Sequence, residues 1–187
     1  MSKRLNSSRV AAHVAALLLA LLALSFAASP AAAAECKGGS VPGYELTQKR
    51  AAKATLCLIN KERSSRGIGK LKMSGNARKA ALAHSTVMVR QRCFSHVCPG
   101  EGDLLKRLSK ADYLPCNCSW GVAENIAYGS GNESSPRAMV GAWMGSAPHR
   151  MNILNRAYEH IGVGVRHGSP TGGSQAATYT TDFGYRN

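Results

Sequence analysis

The chain has 187 residues, 24 Lys and Arg against 10 Asp and Glu, and a formal net charge of +14. That length suits one domain with a sizeable core rather than several. The charge favours anionic surfaces such as phospholipid headgroups or wall polymers, and the lack of any aromatic–basic binding pattern argues against a nucleic-acid partner.

Residues 1–34 read as a secretory signal. Lys3, Arg4 and Arg9 make a basic start, Val10 to Ala28 is almost wholly apolar, and Ala32-Ala33-Ala34 fits a small-x-small cleavage site. The apolar run is also just long enough to span a bilayer, so a retained anchor is the alternative; with the signal cleaved, no transmembrane span is expected. Glu35 stands directly before Cys36, where a lipid-modified cysteine needs a small residue. Losing residues 1–34 removes three basic residues and no acid, which takes the charge from +14 to +11. The expected destination is secreted, extracellular or in the cell envelope.

All six cysteines (Cys36, Cys57, Cys93, Cys98, Cys116 and Cys118) follow the signal. An even number in an exported chain favours disulfides, whose pairing the sequence does not choose. Zinc is the other option for them, but Cys93-x4-Cys98 and Cys116-x-Cys118 are not paired CxxC knuckles.

Residues 35–47 read as an irregular arm and 48–187 as the folded domain. A helix is predicted over 48–65, capped by Thr47, with Ala52, Leu56, Ile59 and Arg63 on one face and Gly67 and Gly69 beyond its end. A second is predicted over 75–92 from Ser74, with Ala77, Ala81, His84 and Met88 on one stripe. Twelve of the 24 basic residues lie in 49–92, opposed only by Glu62. After a turn at 93–101 comes a short helix over 103–111, a cysteine-bearing loop at 115–119 and a strand over 120–128. A loop at 129–135 leads into a helix opened by Ser135-Pro136 and broken at Gly145, and Pro148 opens another that carries His149. Ile161, Val163 and Val165 alternate, as do Tyr179, Thr181 and Phe183, which predicts two antiparallel strands joined by a Gly-rich loop at 168–174. Helices first and strands later indicate an α+β fold.

Five histidines follow the signal. His84, on an apolar helical stripe, reads as a buried imidazole bonded to a neighbour, and His160 and His167 as surface or turn residues. His96 and His149 sit on turns beside small residues, Pro or Gly, where a ring can point into a cleft. Glu124 lies between apolar residues on a strand and must find a partner or bear a desolvation cost. Two imidazoles and a carboxylate suit a zinc-like ion held by His96 and His149, a general base oriented by Glu124, or a buried network that only fixes the fold. Spacing does not separate the three, and no HExxH, GxSxG or Cys-His nucleophile pattern is present.

The motifs A-x2-H-S at 81–85, F-S-H at 94–96, A-E-N-I-A at 123–127, W-x2-S-x2-H-R-x-N-I-L at 143–154, I-G-V-G at 161–164 and Y-T-T-D-F-G at 179–184 occur in that order. Together they resemble the bacterial branch of the CAP superfamily, the cysteine-rich secretory, antigen 5 and pathogenesis-related group 1 proteins. The resemblance covers roughly residues 50–185. It implies a three-layer α-β-α sandwich with a central antiparallel sheet, and a cleft that in many members carries two His and two Glu. The match puts His96 at the first His, Glu124 at the first Glu and His149, 13 residues before Gly162, at the second His. The place of the second Glu, three after Trp143, holds Ser146. That loss lowers the expected affinity for a divalent cation; Ser146 can still accept or donate a hydrogen bond, and it can cap the helix bearing His149. Ala123 replaces a usual Gly, and Val87 a usual Asp.

Members of the superfamily have been linked to lipid and sterol binding, protease-like activity and defence or host interaction, so membership implies fold more than function. The expected function is binding of an envelope component or lipid through the basic surface and the cleft of His96, Glu124, Ser146 and His149. The alternatives are a metal-assisted hydrolase using His96, His149 and Glu124, and a structural domain with an extracellular protein partner.

Overall fold

The computed structural model describes residues 35–114 and 117–187, and Cys36–Asn187 is one compact unit. The signal reading of residues 1–34 and any role of Cys116 lie outside the described residues. Among those described, no helix is long and apolar enough to cross a membrane.

Among the described residues, five α-helices and four strands follow one another as α1 (Gln48–Ser64), β1 (Lys72–Met73), α2 (Gly75–Gln91), α3 (Leu104–Lys110), β2 (Trp120–Ser130), α4 (Pro136–Gly145), α5 (Ala147–Leu154), β3 (His160–His167) and β4 (Ala176–Arg186). Short 3-10 turns lie at Gly43–Glu45 and Gly131–Ser134. Four helices start where a side chain accepts an otherwise orphaned backbone N–H: Thr47 from Arg50, Ser74 from Ala77, Asp103 from Lys106 and Ser135 from Ala138.

The sheet order is β1-β3-β4-β2. β2, β4 and β3 are antiparallel, as expected, but β1 adds a parallel edge through Lys72 opposite His160 and Met73 opposite Ile161. Two residues are too few to show a period, so the sequence carries no signal for it.

Alternation along β3 sorts the layers. Ile161, Val163 and Val165 join Tyr179 and Phe183 in a core with Leu58 and Ile59 of α1, Met139, Val140 and Trp143 of α4, and Ile153 of α5. On the other face a Cβ at Gly162 or Gly164 would overlap the backbone of α2 at Ala77 or Ala81. Glycine on the strand and alanine on the helix therefore bring α2 into direct backbone contact with the sheet. The result is an α+β three-layer sandwich, with α2 and α3 on one face and α1, α4 and α5 on the other.

β2 is an edge strand, yet two of its carbonyls are occupied. The indole N–H of Trp143 donates to Ile126 at 3.1 Å, and Asn152 Nδ2 lies 3.4 Å from the carbonyl of Glu124. Such capping blunts an edge that would otherwise pair with another chain. Arg63, in the basic run, is buried: its guanidinium donates to the carbonyls of Gly69, Ile153, Asn155 and Tyr158 at 2.7–3.0 Å. It ties α1 to the end of α5 and contributes nothing to the charged surface.

Cys36 pairs with Cys57 and Cys93 with Cys98. Cys118 is also disulfide-bonded.

Candidate functional site

Glu124 and Asn125 are consecutive on β2, so their side chains leave opposite faces of the strand. Glu124 Oε1 lies 2.7 Å from His96 Nδ1. Asn125 Nδ2 donates to the backbone carbonyl of His149 at 3.0 Å, while its Oδ1 accepts from Asn152 at 2.8 Å. One edge strand thus holds both histidine-bearing segments, one from each helical layer.

His96 projects from a loop closed by the Cys93–Cys98 disulfide and is 56% exposed at its side chain. Phe94 in that loop packs edge-on against Tyr128, with centroids 4.8 Å apart. Beneath it, Arg107 of α3 is nearly buried and donates to the carbonyls of His96 (2.8 Å) and Gly102 (3.0 Å) and to Glu124 Oε2 (2.6 Å). One guanidinium fixes both the loop and the carboxylate that meets it.

Three further groups complete the polar cluster. Glu101 Oε1 accepts from the backbone N–H of Cys98 at 2.9 Å and lies 2.8 Å from His84 Nδ1. His84 is fully buried, as its helical stripe implied, and its Nε2 is 3.8 Å from Glu124. The ring nitrogens are close to carboxylates but not aligned on them as hydrogen bonds. Asp182 on β4 is directly opposite Glu124 in the register, and among the described residues neither of its oxygens meets a donor.

These neighbours set the charges. Burial alone would push Glu124 up, but His96, His84 and Arg107 together hold it below the ordinary carboxylate range. The bond to Glu124 raises His96 against the opposing effects of burial and Arg107. Burial, then the adjacent Glu124, pushes Asp182 well above its usual range. The two carboxyls are therefore driven apart, Glu124 towards its charged form and Asp182 towards its neutral one. Burial, followed by the His96 charge, lowers His149, so the two rings sense each other.

Ser146 occupies the N-cap position of α5, but its hydroxyl does not cap the helix. It bonds His149 Nδ1 at 2.8 Å instead. The capping expectation for its side chain is corrected: only the Ser146 carbonyl enters the helix, accepting from Arg150.

His96 and His149 both have Nδ1 engaged, leaving their Nε2 atoms as the two nitrogen donors. Among the described residues no three His, Cys, Asp or Glu side chains are grouped to hold a metal ion. Two imidazoles are one protein ligand short of the three that catalytic zinc sites use, so no metal-borne step follows from this donor set. His160 and His167 stand apart from the cluster: His160 is 3.5 Å from the Tyr113 hydroxyl, and His167 Nε2 bonds the Leu46 carbonyl.

Sequence reasoning missed Glu101, Arg107 and Asp182. A signal existed for Asp182, which sits within the alternation of a buried strand where an acid needs a partner. Glu101 and Arg107 carry no such mark, since a turn glutamate and a helical arginine ordinarily face water.

The pattern of the Cysteine-rich secretory protein family matches residues 56–182. The chain belongs to this CAP family. It is 35% identical over 133 residues to the uncharacterized protein YkwD of Bacillus subtilis, covering 67% of this chain and 43% of YkwD. It is also 35% identical over 124 residues to the uncharacterized membrane protein YlbC of the same organism, covering 65% of this chain and 33% of YlbC. The matched region is thus less than half of either relative. Among solved structures, an extracellular SCP-domain protein from Bacillus anthracis superposes with TM-score 0.58 at 27% identity, over 74% of this chain and 43% of that one. An outer surface protein from Borrelia burgdorferi has the same fold, with TM-score 0.62 at 20% identity over 76% of this chain and 97% of that one.

Proposed function

We propose that this is an exported CAP domain that binds an anionic envelope component or lipid surface through the unpaired cations of its basic surface, with the His96–Glu124 pair organising a cleft at the sheet edge. The observation that carries the reading is the uncompensated charge of residues 49–92. Of their twelve cations, Arg63 is buried and Arg66 pairs with Glu62 at 2.6 Å. The other ten make no ion pair among the described residues. Such a field concentrates anionic partners at the surface. Export is supported by the signal-like residues 1–34, by the disulfides and by the likeness to a CAP protein described as extracellular. Co-sedimentation of residues 35–187 with neutral and anionic vesicles at low salt tests the reading. Selective binding to anionic vesicles that weakens with salt is expected; equal binding to both overturns it.

A second reading rests on the orientation of His96. Its Nδ1 is held by Glu124 and its Nε2 is left for chemistry, the arrangement of a carboxylate-oriented general base. The metal-assisted form is tested by zinc titration of the wild type against His96→Ala, His149→Ala. Identical heats remove the metal from this reading.

A further inference from the structure

The Cys36–Cys57 disulfide does more than tether the arm. Arg50, Lys53, Ala54 and Cys57 stand at i, i+3, i+4 and i+7 of α1, so they share one stripe. The bridge closes on the last of these with Cα atoms 5.7 Å apart. Lys37, the next residue of the arm, is thereby brought onto the same stripe. Lys37, Arg50, Lys53, Ala54 and Cys57 line a hollow of about 280 Å³.

That lining has three cations and no acid. None of the three makes an ion pair among the described residues, and all three are exposed. Like charges gathered in one hollow repel unless a counter-charge sits between them. Here a covalent bond holds one of them in place, so the repulsion cannot be relieved by the arm swinging away. Two ammonium groups and a guanidinium offer several donors to a small oxyanion, with the guanidinium able to grip two oxygens at once.

We propose that Lys37, Arg50 and Lys53 form a phosphate-binding site assembled by the Cys36–Cys57 disulfide. This rests on the reading that the domain meets an anionic envelope, and it names where and by what chemistry contact is made. A phosphate on a free or polymeric chain and the phosphate of a lipid headgroup present the same oxygens to the hollow.

The test compares two triple variants of residues 35–187 that lose the same charge. Lys37→Gln, Arg50→Gln, Lys53→Gln removes the hollow. Lys70→Gln, Lys72→Gln, Lys79→Gln removes exposed cations elsewhere. Inorganic pyrophosphate, followed by titration calorimetry, probes free phosphate; phosphatidylglycerol vesicles, followed by flotation, probe the headgroup. The hollow variant should bind whichever probe the wild type takes about tenfold more weakly, against less than about twofold for the control. Cys36→Ser, Cys57→Ser retains all three cations. With its helical circular dichroism intact, it should still lose about threefold, because the arm is released. Equal losses in the two triple variants, or undiminished binding in the folded disulfide variant, overturn the site and leave the envelope reading standing. Failure of the wild type to bind either probe at low salt overturns both.

Discussion

Asp182 on β4 stands directly across the sheet from Glu124 on β2, and the two carboxyls are driven apart, Glu124 below and Asp182 above the ordinary carboxylate range. Among the described residues Asp182 has no hydrogen-bond donor on either oxygen and it is 1% exposed, so burial disfavours its charged form.

The first prediction concerns the charge state of Asp182. Asp182 has a folded pKa well above its unfolded value, so its favourable contribution is full below about pH 4 and is lost as pH rises through the folded pKa. Asp182→Asn removes the titration and supplies an N–H for Glu124. Relative to wild type, it should be more stable in urea denaturation at pH 7 and differ little at pH 4. A variant less stable than wild type at pH 7 counts against the raised pKa of Asp182.

Arg107→Met leaves Glu124 buried without its guanidinium partner and the His96 loop without its anchor. A loss of about 3 kcal/mol is expected in the same assay. Methionine keeps much of the side-chain volume, so a cavity does not account for a loss of that size.

Glu124→Gln should return the His96 imidazole from its raised pKa towards or below the ordinary value near 6.5. NMR titration of the ring protons reads this directly. Because the wild-type pKa is raised, the stabilisation from the charged pair is full below about pH 6.5 and fades as pH rises through the folded pKa. Glu124→Gln should abolish that part of the pH profile.

Ser146→Glu places a carboxylate beside His149 Nδ1, where the hydroxyl now sits 2.8 Å away. The lowered pKa of His149 should rise. With a third protein ligand available, zinc affinity by calorimetry should increase about tenfold or more. Unchanged affinity would show that the two imidazoles do not converge on a common ion.

Gly164→Ala forces a methyl into the backbone of α2 at Ala81 and Leu82. Backbone cannot yield as a side chain tip does, so a loss of about 3 kcal/mol is expected in thermal or urea unfolding.

The helices and the long strands were legible because caps, proline positions and periods agreed. Thr47, Ser74 and Ser135 all accept the bonds their positions imply, and Ile161, Val163 and Val165 face one core. The resemblance drew out His96 and Glu124, which the fold brings to 2.7 Å. The cluster beneath them was not legible. Arg107 lies 17 residues from Glu124 and Asp182 lies 58 beyond it; the buried alternation around Asp182 signals that it needs a partner, but nothing local says which, and Arg107 carries no signal at all. Arg63 shares the face of Ala52, Leu56 and Ile59, which pointed its stem inward, but the helix gives no hint of the four carbonyls its guanidinium meets.

The backbone contact of α2 with β3 joins residues near 77–82 to residues near 162–164. α2 therefore lacks the strand its backbone packs on until β3, residues 160–167, is present. Distant pairings of this kind form late. Under the export proposed above, a chain threaded through a membrane from its first residue would deliver this platform last. The leading half would then cross before α2 has the strand it packs on.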